Sequence, residues 1–169
     1  MITVAFLQNQ WFKDPASVRQ VFDRHPDKRQ ELIARFLFGS RCLTGRRLKA
    51  AFGGATDSII WEQSSPEIGW HSGSTFKADQ QHIVSVIEQF RPDIVLTFGT
   101  IAKKAVFECC SPLDFRWWAG PHPAARQRDV MYELKRMAKW LLLAEIGRIE
   151  IACVELMIEN EFGNLGKAG

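Results

Sequence analysis

The segment AGPHPAARQRD, residues 119–129, sets a histidine between two prolines and follows it with two arginines. Proline fixes φ and lacks an amide proton, so Pro121 and Pro123 keep His122 out of a helix and in a restrained turn. An imidazole held in this way is a hydrogen-bonding group that can stay neutral or take a proton near physiological pH. Arg126 and Arg128 stand just before a helical pattern, where a cation gains nothing from the helix dipole. Contact with an anion explains them better than a solvated face does.

Other short segments carry compatible groups. Gln8, Asn9, Gln10, Trp11 and Phe12 follow one apolar run, with Asp14 close behind, and Glu62, Gln63, Ser64 and Ser65 follow a second. Arg46 and Arg47 open GRRLKAAF, where helix N-terminal amides already favour anions. Amides, a carboxylate, aromatic rings, a histidine and arginines suit recognition of a planar, hydrogen-bonding group, with rings to stack on and amides to read its edge. Several chemistries fit less well. The chain has no GxxxxGK[ST] phosphate loop, no GxGxxG fingerprint and no GxSxG elbow, and its histidines lack metal-ligand spacing. No metal or redox cofactor is expected.

Such groups act together only if the fold brings them to one place. ITVAFL at 2–7, SIIW at 58–61 and DIVLTF at 93–98 are apolar runs of the kind buried on both sheet faces, and WWA at 117–119 is a shorter one. Helical periodicity covers 76–90, where Phe76, Ile83, Val84, Ile87 and Phe90 fall largely on one face, with a stop at Arg91-Pro92. It also covers 100–108 and 129–144, the last capped by Asp129. Residues 16–52 divide into two or three helices, broken at His25-Pro26 and Gly39-Ser40, with Thr44 as the cap of the last. The alternation implies right-handed βαβ crossovers and an α/β fold: a three-layer α/β/α sandwich around a central, mostly parallel four-stranded sheet. Function should then collect on loops at the carboxyl ends of the strands.

The 169 residues, 46% hydrophobic and 24% charged, suit one soluble domain. We place it at 1–147, with 148–169 as a partly disordered extension. A net charge of +3 leaves room for a local basic face without marking the chain as a nucleic-acid binder. No run approaches a membrane span and the first residues do not read as a signal, so a cytoplasmic location is expected. Cys42, Cys109, Cys110 and Cys153 show no metal-ligand spacing and read as reduced thiols.

The order LQNQW, LTGRRLKAAFG, RPDIVLTFGTIAKKAV, GPHPAAR resembles the uracil-DNA glycosylase superfamily over residues 2–144. In that family the first strand ends in a motif of the GxNPG or GQDPY kind, a later segment reads P-D-hydrophobic-G-x-x-A, and an HPS-like motif precedes the last helix. Here the first motif keeps Asn9 and lacks the flanking glycine and proline. The resemblance implies a monofunctional glycosylase that excises uracil or a related deaminated base. Its partners would be DNA and the free base, with the chain a monomer.

The resemblance also implies individual roles. His122 would hydrogen-bond the departing base and Asn9 would orient water, with Asp14 as the carboxylate that could replace it. Gln8, Glu62 and Gln63 would line the base pocket, and Trp11 or Phe38 would stack on the base. Arg126 would enter the minor groove as a wedge, with Arg128, Arg46 and Arg47 on phosphates. Two other outcomes stay open: a DNA-binding module that has lost the chemistry, and an enzyme acting on a small nucleoside-like substrate.

Overall fold

The computed structural model describes residues 1–70, 77–110 and 114–147. The first apolar run forms β1 (Thr3–Leu7), buried at all five positions. A two-residue strand, β2 (Gln10–Trp11), follows it directly. Three helices come next, α1 (Pro15–Arg24), α2 (Arg29–Gly39) and α3 (Leu43–Phe52), and lead to β3 (Ile59–Gln63) and the short β4 (Ile68–Gly69). The remaining elements are α4 (Gln80–Phe90), β5 (Ile94–Phe98), α5 (Thr100–Cys109), β6 (Arg116–Gly120) and α6 (Val130–Glu145).

The main sheet runs β3-β1-β5-β6 and every neighbouring pair is parallel. The α/β sandwich expected from the alternation is therefore the observed fold. Side chains alternate across β1, so each face has its own core. Ala5 and Leu7 join Trp61, Leu96, Phe98 and Trp118 beneath residues of α1, α2, α3 and α6. Val4 and Phe6 join Val95 and Trp117 beneath Ile83 and Val86 of α4 and Ala102 and Val106 of α5. No helix among the described residues is long and apolar enough to cross a membrane.

From β1 the chain moves to β3 on one side, then back past β1 to β5 on the other. The strand order thus reverses between β1 and β5, and a crevice is expected there, beyond the carboxyl ends. Because all four strands are parallel, the segments beginning at Gln8, Ser64, Gly99 and Pro121 leave the same edge of the sheet.

Several local expectations are corrected. The second strand extends through Gln63 rather than ending at Trp61, because β1 continues to pair with it through Phe6↔Glu62 and Leu7↔Gln63. Cys42, not Thr44, caps α3: its Sγ accepts from the Gly45 amide at 3.3 Å and donates to the Leu37 carbonyl at 3.4 Å. Asp129 does stand at the N-cap of α6, without a side-chain hydrogen bond. Asp79 caps α4 by accepting from the His82 amide at 3.0 Å, and Arg91 closes that helix in the left-handed region at φ 44°. The expected start of that helix at Phe76, the tail from Arg148 and Cys153 lie outside the described residues. Cys42, Cys109 and Cys110 are free thiols.

Candidate functional site

At the end of β1, Gln8 and Asn9 are half-buried, Gln10 is buried and Trp11 is exposed. The backbone here is tightly held. The Leu7 carbonyl accepts from both the amide and the hydroxyl of the buried Ser64, which ties the end of β1 to the end of β3. Beyond it, β2 pairs in parallel with β4, Gln10 opposite Ile68 and Trp11 opposite Gly69, and the Phe12 amide donates to the Gly69 carbonyl. Two buried amide atoms at this edge, Nε2 of Gln10 and Oε1 of Gln63, have no hydrogen-bond partner among the described residues. Leaving such a group unmatched costs about 1–3 kcal/mol, so these atoms favour a partner that completes them.

The histidine turn lies two strands away along the same edge. Phe98 pairs with Gly120, and the Gly99 amide donates to the Gly120 carbonyl at 2.9 Å. Gly99 has φ of 93°, and a Cβ built on it would stand 3.2 Å from the Cβ of His122. Only glycine adopts this conformation readily while leaving room for the histidine. The His122 carbonyl accepts from the Ala125 amide at 2.9 Å, closing a turn around Pro123 and Ala124.

The His122 ring is defined by its contacts. The Ala124 amide donates to Nδ1 at 3.1 Å, so Nδ1 presents a lone pair and the ring proton sits on Nε2. Burial pushes the imidazole below its ordinary value, because charging it would remove a cation from water. At neutral pH it is a neutral ring with one N–H donor.

The arginines divide into two groups. Arg46, Arg126 and Arg128 are exposed. Arg47 is half-buried, and its Nη1 donates to the carbonyls of Pro123 at 2.7 Å and Ala125 at 2.9 Å. The structure therefore gives Arg47 contacts with the histidine turn that sequence spacing did not suggest.

Glu62 is placed differently from the expectation. As a residue of β3 rather than of a loop, its side chain is 0% exposed. Arg29 reaches it with Nη2 at 2.9 Å and Nε at 3.1 Å, Gln30 donates at 2.9 Å, and the backbone amide of Gln63 donates to Oε1 at 2.9 Å. His82 Nε2 stands 3.4 Å from Oε1. Burial pushes the carboxyl up, but His82, the Arg29 contacts and charge, and the Gln63 amide more than offset it. Glu62 is thus held ionised, below its ordinary value. Its oxygens join β3, α2 and α4 and are not offered to a ligand.

Asp14 is also engaged. It caps α1, accepting from the Ser17 amide at 3.1 Å and hydroxyl at 2.6 Å, and these bonds lower its carboxyl. Phe38 packs edge-on against Trp61 with ring centroids 5.3 Å apart and lies under Lys49. Trp11, 47% exposed, is the more accessible of the two stacking candidates.

The topology therefore brings Gln8, Asn9, Gln63 and His122 to one sheet edge, with Arg126 and Arg128 on the continuation of the histidine loop. It assigns Glu62 and Asp14 to structural work. Arg29, His82 and Gly99 were not singled out from sequence. A glutamate directly after SIIW was the available clue to the first two, since a carboxylate in a buried strand requires partners. Compared with protein-family models, curated proteins and solved structures, the chain matches none.

Proposed function

We propose that this chain is a DNA glycosylase that hydrolyses the N-glycosidic bond of uracil or a related deaminated base, in base excision repair. The observation that carries this reading is the His122 turn, with a neutral ring at the carboxyl edge, Nδ1 occupied by the Ala124 amide and Nε2 left as donor. Departure of a base as an anion puts negative charge on its carbonyl oxygen. A fixed donor there strengthens as the charge grows, and contributes about 2.7–4 kcal/mol to lowering the barrier.

In this mechanism the bond between the sugar C1′ and the base nitrogen breaks, and its electron pair leaves with the base. Water oriented by Asn9 adds to C1′ and loses its proton to solvent, because an amide is not a base. Gln63 reads the hydrogen-bonding edge of the base, and Gln10 holds the strand end beside it through its pairing with Ile68. Gln8 lines the same edge and Trp11 stacks on the flipped base. Arg126 fills the gap in the duplex, while Arg128 and Arg46 meet phosphates.

The test is incubation of the full chain with oligonucleotides carrying uracil, hypoxanthine or xanthine, in single and double strands, followed by alkali. Cleavage at the modified position that drops strongly in His122→Ala and Asn9→Ala supports the reading. No product from any substrate refutes it. A second reading, a DNA-binding module without chemistry, is favoured by the engagement of both Asp14 and Glu62, which leaves the water to an amide. Salt-sensitive DNA binding without base release, unchanged in Asn9→Ala, would establish that alternative.

A further inference from the structure

We propose that Arg47 is a positioning residue, whose guanidinium fixes the His122 turn and thereby selects the ring tautomer that donates from Nε2. The role of His122 as donor to a leaving base rests on the function proposed above; the clamp itself does not.

One nitrogen, Nη1, donates to two carbonyls of the turn, those of Pro123 at 2.7 Å and Ala125 at 2.9 Å. They flank Ala124, whose amide occupies Nδ1 of His122 at 3.1 Å. Holding the Pro123 carbonyl orients the peptide plane whose N–H faces the ring, and holding the Ala125 carbonyl fixes the turn beyond it. Charge-assisted bonds of this length are about twice as strong as neutral ones. From the other side Gly99 admits the histidine closely, with 3.2 Å between its notional Cβ and the His122 Cβ. The turn is thus held between β5 and α3.

The base of the clamp is rigid. Arg47 lies in the first turns of α3, whose N-terminus is capped by Cys42. Next to that cap, Gly45 packs so closely on α2 that a Cβ would stand 1.9 Å from the Leu37 carbonyl oxygen. The backbone that carries Arg47 is thus seated against α2, and its guanidinium is held by the two carbonyls. Two proline residues restrict the turn locally, but they do not choose between Nδ1–H and Nε2–H; the Ala124 amide does, and Arg47 holds the peptide that carries it through the Pro123 carbonyl.

The experiment compares the full chain with Arg47→Met, which keeps an apolar stem and loses the donors, and with Arg47→Lys, which restores a cationic donor. The ring nitrogens of His122 are read by long-range proton–nitrogen NMR, beside Tm and uracil release. The unaltered chain should show a single Nε2–H tautomer. Arg47→Met should show a mixture, with kcat for uracil release falling about ten- to hundredfold while KM stays within about twofold, and Arg47→Lys should recover most of both. An unmixed Nε2–H tautomer in Arg47→Met overturns the assignment, whatever happens to Tm or to DNA affinity. If no form releases uracil but Arg47→Met still mixes the tautomers, the proposed function fails and the clamp stands.

Discussion

Replacing Arg29 by alanine removes the cation that neutralises the buried carboxylate of Glu62. Three contacts disappear, Nη2–Oε1 at 2.9 Å and Nε at 3.1 and 3.3 Å, while the bonds from Gln30 and the Gln63 amide remain. Orphaning one member of a buried ion pair costs about 3–5 kcal/mol. The Arg29 side chain is 20% exposed, and two hydrogen bonds and the His82 contact persist, so the lower end applies, about 3 kcal/mol. For a chain of this size that is a fall in Tm of about 6–12 °C. The pH dependence is more diagnostic. In the unaltered chain the Glu62 value is lowered, so its stabilisation is present above the unfolded value and is lost as pH falls through the folded one. Without Arg29, burial is opposed by His82 and the Gln63 amide, and the folded value rises. The carboxyl then takes up a proton at a higher pH than in the unaltered chain, and once protonated it no longer needs the missing cation. The deficit of Arg29→Ala should therefore shrink between about pH 7.5 and about pH 4, measured by urea unfolding. A deficit under about 1 kcal/mol, equal at both pH values, would refute the buried-pair account, since it is what an exposed pair would give.

Other consequences follow from the same geometry. Gly45→Ala forces a Cβ against the Leu37 carbonyl oxygen, backbone that cannot yield cheaply, and should lower stability by about 1–3 kcal/mol in thermal or urea unfolding. Gly99→Ala combines a disfavoured φ with displacement of His122, so uracil release should fall by a larger factor than the accompanying loss of Tm explains, as activity assays at saturating substrate would show. Since burial lowers the His122 value, base release should stay level through neutral pH and fall only on the acid side of the ordinary histidine range, as the ring takes a proton. The same ring contributes stability that is present above its unfolded value and lost as pH falls through the folded one. Arg128→Ala should reduce the slope of log affinity against log salt by about 0.9 on duplex DNA, measured by titration at several salt concentrations.

The sheet was legible because ITVAFL and DIVLTF are apolar at nearly every position, which only a strand covered on both faces requires. The parallel order then placed the Asn9 and His122 segments on one edge without any knowledge of side-chain contacts. The errors have local causes. Glu62 and Gln63 are polar, so hydrophobic pattern ended the strand at Trp61, whereas backbone pairing with β1 carried it two residues further. That shift turned Glu62 from a loop residue into a buried one. Its partners Arg29 and His82 lie 33 and 20 residues away, beyond the reach of helical or strand periodicity. Cys42 displaced Thr44 as the α3 cap because a thiol accepted from the Gly45 amide, a use that cap preferences rank low. Arg47 looked like a phosphate ligand because its place near a helix N-terminus is visible in sequence, and the two carbonyls it holds are not.

Removal of a base from DNA is the role proposed for the His122 turn. Its most direct test is single-turnover uracil release from a uracil-containing oligonucleotide by the full chain, compared with His122→Ala. The unaltered chain should yield abasic product, and the variant a rate lower by about 100- to 1,000-fold, the worth of one prearranged donor. Equal rates in the two proteins, or no product from either with protein in excess, would contradict it.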